Sequence, residues 1–484
     1  MANGAAPAIR TRKNVLTLGN PGDDLDWYGQ AVAALQNRPL ADPTGWRYLA
    51  AVHGYLLALD PNPTDVQFPS DADQQNFWNQ CQHQSWYFLP WHRAYLVCFE
   101  QIIADAVVRL GGPAGWALPY WNYSDPSNNN QARLLPAAFV DATLPSNSAN
   151  PLFVQGRNSS TANFQIPDSD VSLQCVTYSQ FAGGSIGAHP GFGGPQTGFS
   201  HGGQINGGLE DVPHNQIHDD IGGIMGDPRT AALDPIFWLH HANIDRLWEV
   251  WCKTRGNRNP TDPNWLANQS FQFHDAAGNV ATFTASQVLD TTQLLHGYVY
   301  DDISDPIPTS PQIAAMVAMV AAPPSPQPEV VGARTDVVLD AAQMTVQLPI
   351  RTPVAESARG RIMATRPLRA FLNLENVTGS GTLPKYDVYI DVPPAGQARS
   401  NRSPLHVGSL SLFGVAAASD PGGPQGGSGI TSVIEITPQV EQLRREGRWD
   451  ESRLQVTFMR REVGAWARAP MQDLKIGRIS VYYD

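Results

Sequence analysis

Along this 484-residue chain the spacing of apolar residues changes once, and the change divides it in two. In the first part apolar side chains recur three and four positions apart, the repeat of a helix with one buried face. DLDWYGQAVAALQN (24–37) and GWRYLAAVHGYLLAL (45–59) read this way, the second with Tyr48, Leu49, Val52, Leu56 and Leu59 on one face. PWHRAYLVCFEQIIADAVVRL (90–110) is the strongest helix, with Pro90 at its start and Gly111-Gly112 at its stop. Two more helices are expected over 212–222 and 236–253. Between them, residues 122–210 are dominated by Asn, Ser, Gly and Pro and read as long loops.

Beyond residue 336 the repeat becomes two. DVVLD, MTVQLPI, AFLNLENV, YDVYIDV, VGSLSLFGV, TSVIEITP, LQVTFMR and RISVYYD alternate as strands do, separated by turn-rich spacers. The segment 306–336 contains PIPTSPQ and AAPPSPQPEVVG, the composition of an extended linker, with room for a short helix at 311–320. The expected organisation is a mainly α domain (1–305), a Pro-rich linker (306–336) and an all-β sandwich (337–484).

Composition narrows the functions. A net charge of −12 argues against a binder of phosphate backbones, so no nucleic-acid partner is expected. No apolar run is long enough to span a bilayer, so no membrane partner is expected either. MANGAAPAIRTRKNVLTL lacks a basic stretch followed by an apolar core. A soluble, cytoplasmic protein is expected, with secretion left open. Four cysteines (81, 98, 175 and 252) are too few for a disulfide scaffold. Oligomeric state is not legible.

The chemistry lies in the histidines. In DVPHNQIHDD, His214 and His218 stand one helical turn apart and point the same way. His53 lies on the second helix, His83 and His92 flank the start of the strongest one, and His240 and His241 sit in DPIFWLHHANIDRLW. Imidazoles with no carboxylate cluster among them suit copper, and two groups of three divide naturally between two ions. The competing reading is a set of buried, hydrogen-bonded core histidines. His189, His201, His274, His296 and His406 fall in loops or weaker contexts and read as ordinary.

Two longer patterns carry a resemblance. His83-QSWY-Phe88-Leu89-Pro90-Trp91-His92-Arg93 with Glu100, and Asp234-Pro235-Ile236-Phe237-Trp238-Leu239-His240-His241 with Asp245, resemble the two copper motifs of the type-3 copper proteins: tyrosinases, catechol oxidases and haemocyanins. The likeness covers roughly residues 10–300. It implies a four-helix bundle around a binuclear copper site, with His53, His83 and His92 on one ion and His214, His218 and His241 on the other. His241 is preferred to His240 because it stands four residues before the Asp. The implied cofactors are two copper ions with O2 as co-substrate, and the implied partners are small phenols. The implied activity is that of a tyrosinase, ortho-hydroxylating monophenols and oxidising o-diphenols to o-quinones. A catechol or o-aminophenol oxidase without the first step, and an oxygen carrier, are the alternatives.

Finer features follow from the same resemblance. Cys81, two residues before His83, matches the position from which fungal tyrosinases form a thioether to the histidine ring; the alternative is an unreacted thiol. The plant position for that cysteine is Leu57 here. Glu210 and Asn215 match residues thought to hold a water that takes the phenolic proton; otherwise they are a charge and a hydrogen bonder near a helix end. Pro228 stands where plant catechol oxidases carry a bulky Phe gate. Lys385-Tyr386-Asp387-Val388-Tyr389 resembles the KFDVY signature of the plant C-terminal domain, and Tyr298-Val-Tyr300 the Y-x-Y that ends their catalytic domain. A β domain covering the copper site is thereby implied, with the covering residue unassigned.

Overall fold

The computed structural model describes residues 9–483, except 61, 63, 65–66, 128–130, 159–163, 184–188, 200–203, 308–328, 352–368, 394–402, 424 and 463–473. The helix expected at 311–320 therefore lies outside the described residues.

The first domain is helical, with α1 (Asp24–Gln36), α2 (Trp46–His53), α3 (Asp71–Phe77), α4 (Phe88–Arg109), α5 (Gln216–Ile221), α6 (Pro235–Glu249) and α7 (Pro263–Ala267). Asp23 starts α1 by accepting from the Leu25 and Asp26 amides. The D-P of the second motif is a helix start of the same kind: Asp234 accepts from the Ile236 amide, and Pro235 takes the first-turn place where no N–H is needed. α4 is buried around nearly its whole girth, so its moment is weak although its sequence is the most apolar. The helix read over 45–59 stops at His53. Gly54 leaves it in an extended conformation, and of the two residues that would have completed the face, Leu56 is half-buried and Leu59 exposed. The helix read from 212 is kinked at Val212 (φ −139°), ahead of Pro213, which has no amide to donate; a wide turn over Glu210–Asn215 runs into α5. What surrounds the histidines is thus two long helices, α4 and α6, and two short helical segments, rather than four of bundle length.

Small strands trim this domain: β1 (Arg10–Arg12) beside β6 (Tyr298–Tyr300), β2 (Ala182–Gly183) beside β3 (Gly194–Pro195), and β4 (Ser270–His274) beside β5 (Val280–Thr284). The β1–β6 pair closes on a buried ionic network. Arg12 meets Glu100 at 2.6 Å and Asp245 at 3.2 Å, while Arg93 meets Asp245 at 2.5 Å and Glu249 at 2.8 Å. The Tyr298 and Tyr300 hydroxyls also donate to Asp245. The motif residues that are not histidines therefore lock α4 to α6. Such a network specifies register more than it adds stability, because desolvation offsets most of its attraction.

The second domain has two antiparallel four-stranded sheets. One has the order β11 (Leu405–Ser409), β10 (Tyr386–Ile390), β13 (Arg453–Arg460), β8 (Gln343–Pro349); the other β12 (Ile430–Glu435), β9 (Ala370–Thr378), β14 (Leu474–Tyr483), β7 (Glu329–Leu339). Alternate residues of both, such as Leu348, Val388 and Phe458 from one and Leu372, Leu374 and Ile476 from the other, form one core. β7 begins at Glu329, inside the segment read as linker: the prolines end at Pro328, and an alternating strand starts at once. The strand read through VGSLSLFGV also differs. It ends at Ser409; Leu410–Phe413 turn away, Gly414 takes a left-handed φ of 81°, and a helical turn (Val415–Ala418) follows. Phe413, excluded from its own sheet core, is part of the core of the helical domain.

Candidate metal centre

Four helices, a loop and the kinked segment bring the imidazoles together. His53 is the last residue of α2, His83 sits in the loop before α4, and His92 is in the first turns of α4. His214 and His218 come from the kinked segment and α5, and His240 and His241 from α6. Ring centroids lie 5.3 Å apart for His53–His83, 5.7 Å for His53–His92 and 5.7 Å for His83–His92. In the second group His214–His218 are 4.6 Å apart, His214–His241 4.9 Å and His218–His241 5.6 Å. The groups abut: His92 and His241 stack at 4.5 Å. All six rings predicted from sequence converge on one place. A set of separate, hydrogen-bonded core histidines would not leave the Nε2 atoms of His53, His214, His218 and His241 buried and unsatisfied.

Hydrogen bonds set which nitrogen faces inward. The Nδ1–H of His53 donates to the Pro228 carbonyl at 2.7 Å, that of His92 to Phe88 at 2.8 Å, and that of His218 to Met225 at 2.8 Å. His214 Nδ1 is paired with Asn215 Oδ1 at 2.8 Å. A carbonyl only accepts, so each Nδ1 carries the proton and each Nε2 presents a lone pair. The Nε2 atoms of His53, His214, His218 and His241 are buried with no hydrogen-bond partner. Burial holds the imidazoles neutral: His53 falls to about 4 and His214 to about 3, and His83, His92, His218 and His241 also shift down. Orphaned, neutral, convergent imidazole nitrogens are the donor set of an imidazole-bound metal. The ligand atoms of His53, Cys81, His83 and His92, and those of His214, His218, His240 and His241, lie within 4.8 Å of one another in each group. These residues fit two copper ions.

Sequence reasoning underrated three neighbours. His240 has both nitrogens unpaired and lies 5.2 Å from His214 and 5.0 Å from His218. Its contacts are with the second group only, whereas His241 touches both. Cys81 Sγ lies 3.6 and 3.7 Å from the two nitrogens of His83, hence on the plane that contains Cε1 between them, and 3.4 Å from His92 Nε2. Burial, and then Glu210, raise its thiol pKa well above the usual value. Asp219, next to His218, could be read from sequence as a charge at the site's entrance or as a solvated residue; it is buried, and accepts from the Leu412 amide at 2.8 Å.

Gly54 explains how His53 is held. A Cβ there would stand 2.5 Å from the Pro228 carbonyl oxygen, so only glycine lets that carbonyl reach the imidazole. Pro228 is thus a support for His53 as well as part of the cavity wall. Glu210 is buried and accepts from the Gln84 amide at 2.8 and 3.0 Å; burial dominates and pushes its carboxyl up to about 8. Asn215, expected to hold a water, spends its amide oxygen on His214.

A cavity of about 220 Å³ opens on the histidines, lined by His53, His83, Glu210, Asn215 and Pro228, and on the other side by residues of the β domain. Phe413 closes it. Its ring stacks on His218 at 4.0 Å and 17°, and meets His83 at 5.6 Å and His214 at 5.7 Å edge-on. The β domain is held there by a buried ion cluster. Lys385 meets Asp220 at 2.6 Å and Asp170 at 3.0 Å; Arg461 meets Asp170 at 2.7 Å and Asp220 at 3.1 Å. The Lys of the KFDVY-like signature is therefore a bridge between domains. Among the described residues no helix is long and apolar enough to cross a membrane.

Comparison with known proteins agrees with this geometry. The family model for the common central domain of tyrosinase matches residues 43–200 and 186–254, the polyphenol oxidase middle domain matches 259–310, and a family described as a domain of unknown function matches 327–484. The tyrosinase HcTyr1 of Hahella sp. (strain CCB-MM4) is 37% identical over 98% of this chain and 99% of its own. A chloroplastic polyphenol oxidase of Malus domestica is 29% identical over 58% of this chain, and the match spans about half (47%) of that plant protein. The solved structure of latent apple tyrosinase superposes with a TM-score of 0.60 at 22% identity, covering 99% of this chain and 98% of that one, which is likeness of fold.

Proposed function

Because this chain belongs to the tyrosinase and polyphenol oxidase family, and is accordingly a copper oxidoreductase acting on phenols, we propose that it performs both tyrosinase reactions. A monophenol and O2 would yield an o-quinone and water; two o-diphenols and O2 would yield two o-quinones and two waters. In this reading His53, His83 and His92 hold one copper ion, and His214, His218 and His241 the other, within what we read as a shortened four-helix frame. When bound, the copper pair supplies the two-electron reduction of O2.

The protein's own residues do the rest. The carbonyls of Pro228, Phe88 and Met225, and the Asn215 amide, orient the imidazoles. A phenol has a pKa near 10 and must lose its proton to bind as phenolate. Glu210, at the cavity wall, is in its ionised form the acceptor for that proton, directly or through a water shared with the Asn215 amide, and its raised carboxyl makes this step favour pH near or above 8. Pro228 leaves the cavity wider than an aromatic gate would. Cys81 is placed to form a thioether with His83, which would fix that ring.

One observation carries the reading: a phenyl ring already lies flat on His218 between the two imidazole groups. Phe413 occupies the place and orientation an aromatic substrate would take. In this arrangement the β domain is a cover, and substrate enters when it moves. The test is to load the full chain with copper, cleave or displace the cover, and follow tyramine and 4-methylcatechol by absorbance. Oxidation of both supports the proposal. Oxidation of the catechol alone reduces it to a catechol oxidase, and oxidation of neither overturns it.

A further inference from the structure

The cavity beside Phe413 has a polar asymmetry that oxidation of a bare phenol does not need. Apart from the histidines and Cys81, its polar lining is four amides (Asn79, Gln84, Asn215 and Gln425), one acid (Glu210) and one cation. Glu210 is tied to main-chain amides. Among the described lining residues the one lysine or arginine is Arg229. It follows Pro228 directly, and its Cα would stand 2.7 Å from a Cβ on Gly54, next to His53. It also lines a second cavity of about 600 Å³ between the domains, so it stands where the site over the histidines opens outward.

The guanidinium is held in a fixed attitude. Its Nε donates to Asp227 Oδ1 at 2.9 Å and its Nη2 to Asp227 Oδ2 at 2.6 Å. That fork uses one edge. The Nη1 group has no hydrogen-bond partner among the described residues, and the side chain is 30% exposed. A guanidinium carries five N–H donors in one plane. Asp420 also acts on this cation, through charge and without a hydrogen bond; with one edge anchored on Asp227, the other can take a carboxylate in a fork.

From this geometry we infer that Arg229 is a specificity-determining residue that selects phenols carrying a carboxylate on a short side chain. The inference rests on the phenol-oxidising reading above. With the ring against His218 in the place of Phe413, a side chain pointing out of the site runs toward Pro228 and Arg229. The carboxylate pairs with the free edge, while the ring hydroxyls stay with the imidazole groups. Asp227 is a positioning residue, since it acts only through Arg229.

The test compares dihydrocaffeate with its neutral methylamide on the copper-loaded protein with the cover displaced as above, so that Phe413 no longer fills the ring's place. Losing one charge-assisted fork should lower the ratio of their kcat/KM values about tenfold in Arg229→Gln, with Arg229→Lys between, since it keeps the charge and loses the fork. A second readout needs no turnover: calorimetric titration of hydrocinnamate and hydrocinnamide into the copper-free Phe413→Ala chain, in which the ring site is vacated. The acid should bind more tightly than the amide, and Arg229→Gln should erase the difference. A ratio within twofold of the unsubstituted protein, or equal binding of acid and amide, overturns the proposal. If the loaded enzyme oxidises neither catechol, the phenol-oxidase reading has failed instead, and the calorimetry alone decides Arg229.

Discussion

Replacing Lys385 by Met should release the cover. Lys385 is fully buried between the domains, 2.6 Å from Asp220 and 3.0 Å from Asp170. In the docked state Lys385→Met leaves Asp170, Asp220 and the nearby Asp387 with Arg461 as their remaining cation. When the domains separate, the same groups are hydrated and the substitution costs almost nothing. The penalty therefore falls on docking. Removing one partner of a buried pair costs about 3–5 kcal/mol, which multiplies the open-to-closed ratio by about a hundred to several thousand. The full-length, copper-loaded variant should oxidise 4-methylcatechol at least about tenfold faster than the unsubstituted chain without protease.

The pH dependence follows with a definite sign. Burial alone would raise the Asp170 carboxyl, but Lys385 and Arg461 outweigh it and hold it well below the usual range. A depressed acid stabilises the docked state above its undocked pKa, near 3.9, and loses that contribution as pH falls through the docked value. The Asp170 part of the gap between Lys385→Met and the unsubstituted protein should then be present above about pH 5 and shrink in stronger acid; Asp220, which burial pushes up to about 8 against the pull of Lys385, should add its part only as pH rises toward that value. Adding Asp170→Asn should recover part of the docking, and the double-mutant cycle isolates the coupling. If thermal melts show the expected loss while the rate stays unchanged, the ion cluster does not hold the cover over the site, and the reasoning fails.

Three further outcomes are expected. Phe413→Ala should cost about 3 kcal/mol of stability by urea titration, as truncation of a buried Phe does, yet raise the full-length enzyme's rate; a rate that falls with stability would mean the ring supports the site instead of blocking it. Gly54→Ala should leave fewer than two copper ions per chain by elemental analysis, because its Cβ would meet the Pro228 carbonyl at 2.5 Å and break the His53 contact. After copper loading and turnover, the peptide holding Cys81 and His83 should be lighter by about two hydrogens and resist thiol alkylation, the thioether being an oxidative loss of S–H and C–H hydrogens; an alkylated peptide of unchanged mass refutes the bond.

What was legible in the chain divides along a physical line. Periodicity located the eight described strands of the second domain and the helices near the histidines, though not all their ends, because each buries a face at a fixed repeat. The imidazoles were found because their types and spacing are themselves the chemistry. The errors lie where a contact distant in sequence overrode a local pattern. Leu56 and Leu59 continue the apolar face of α2, yet the carbonyl of Pro228, 174 residues from Gly54, ends the helix at His53. Ser409–Val415 continue the alternation of a strand, yet the left-handed Gly414 and the apolar slot against His218 draw Phe413 out of its own domain.

The same reasoning explains why the residue closing the site was unreadable while the signature beside it was not. Lys385 is a charge set at the start of an alternating strand whose inward positions are apolar. An unpaired buried lysine is too costly to keep, so its presence there demands acids from elsewhere, which Asp170 and Asp220 supply. Phe413 makes no such demand: any apolar residue that fills the slot would satisfy burial, and its sequence neighbours Leu410 and Leu412 are just as apolar. Polar contacts across the domain boundary are thus written in the sequence as unmet needs. Apolar ones are written only as composition, and which of several equivalent side chains enters the metal centre is decided by the turn at Gly414. Moving that glycine by one position should exchange the residue over His218, and with it the resting activity, while leaving the ion cluster and both sheets intact.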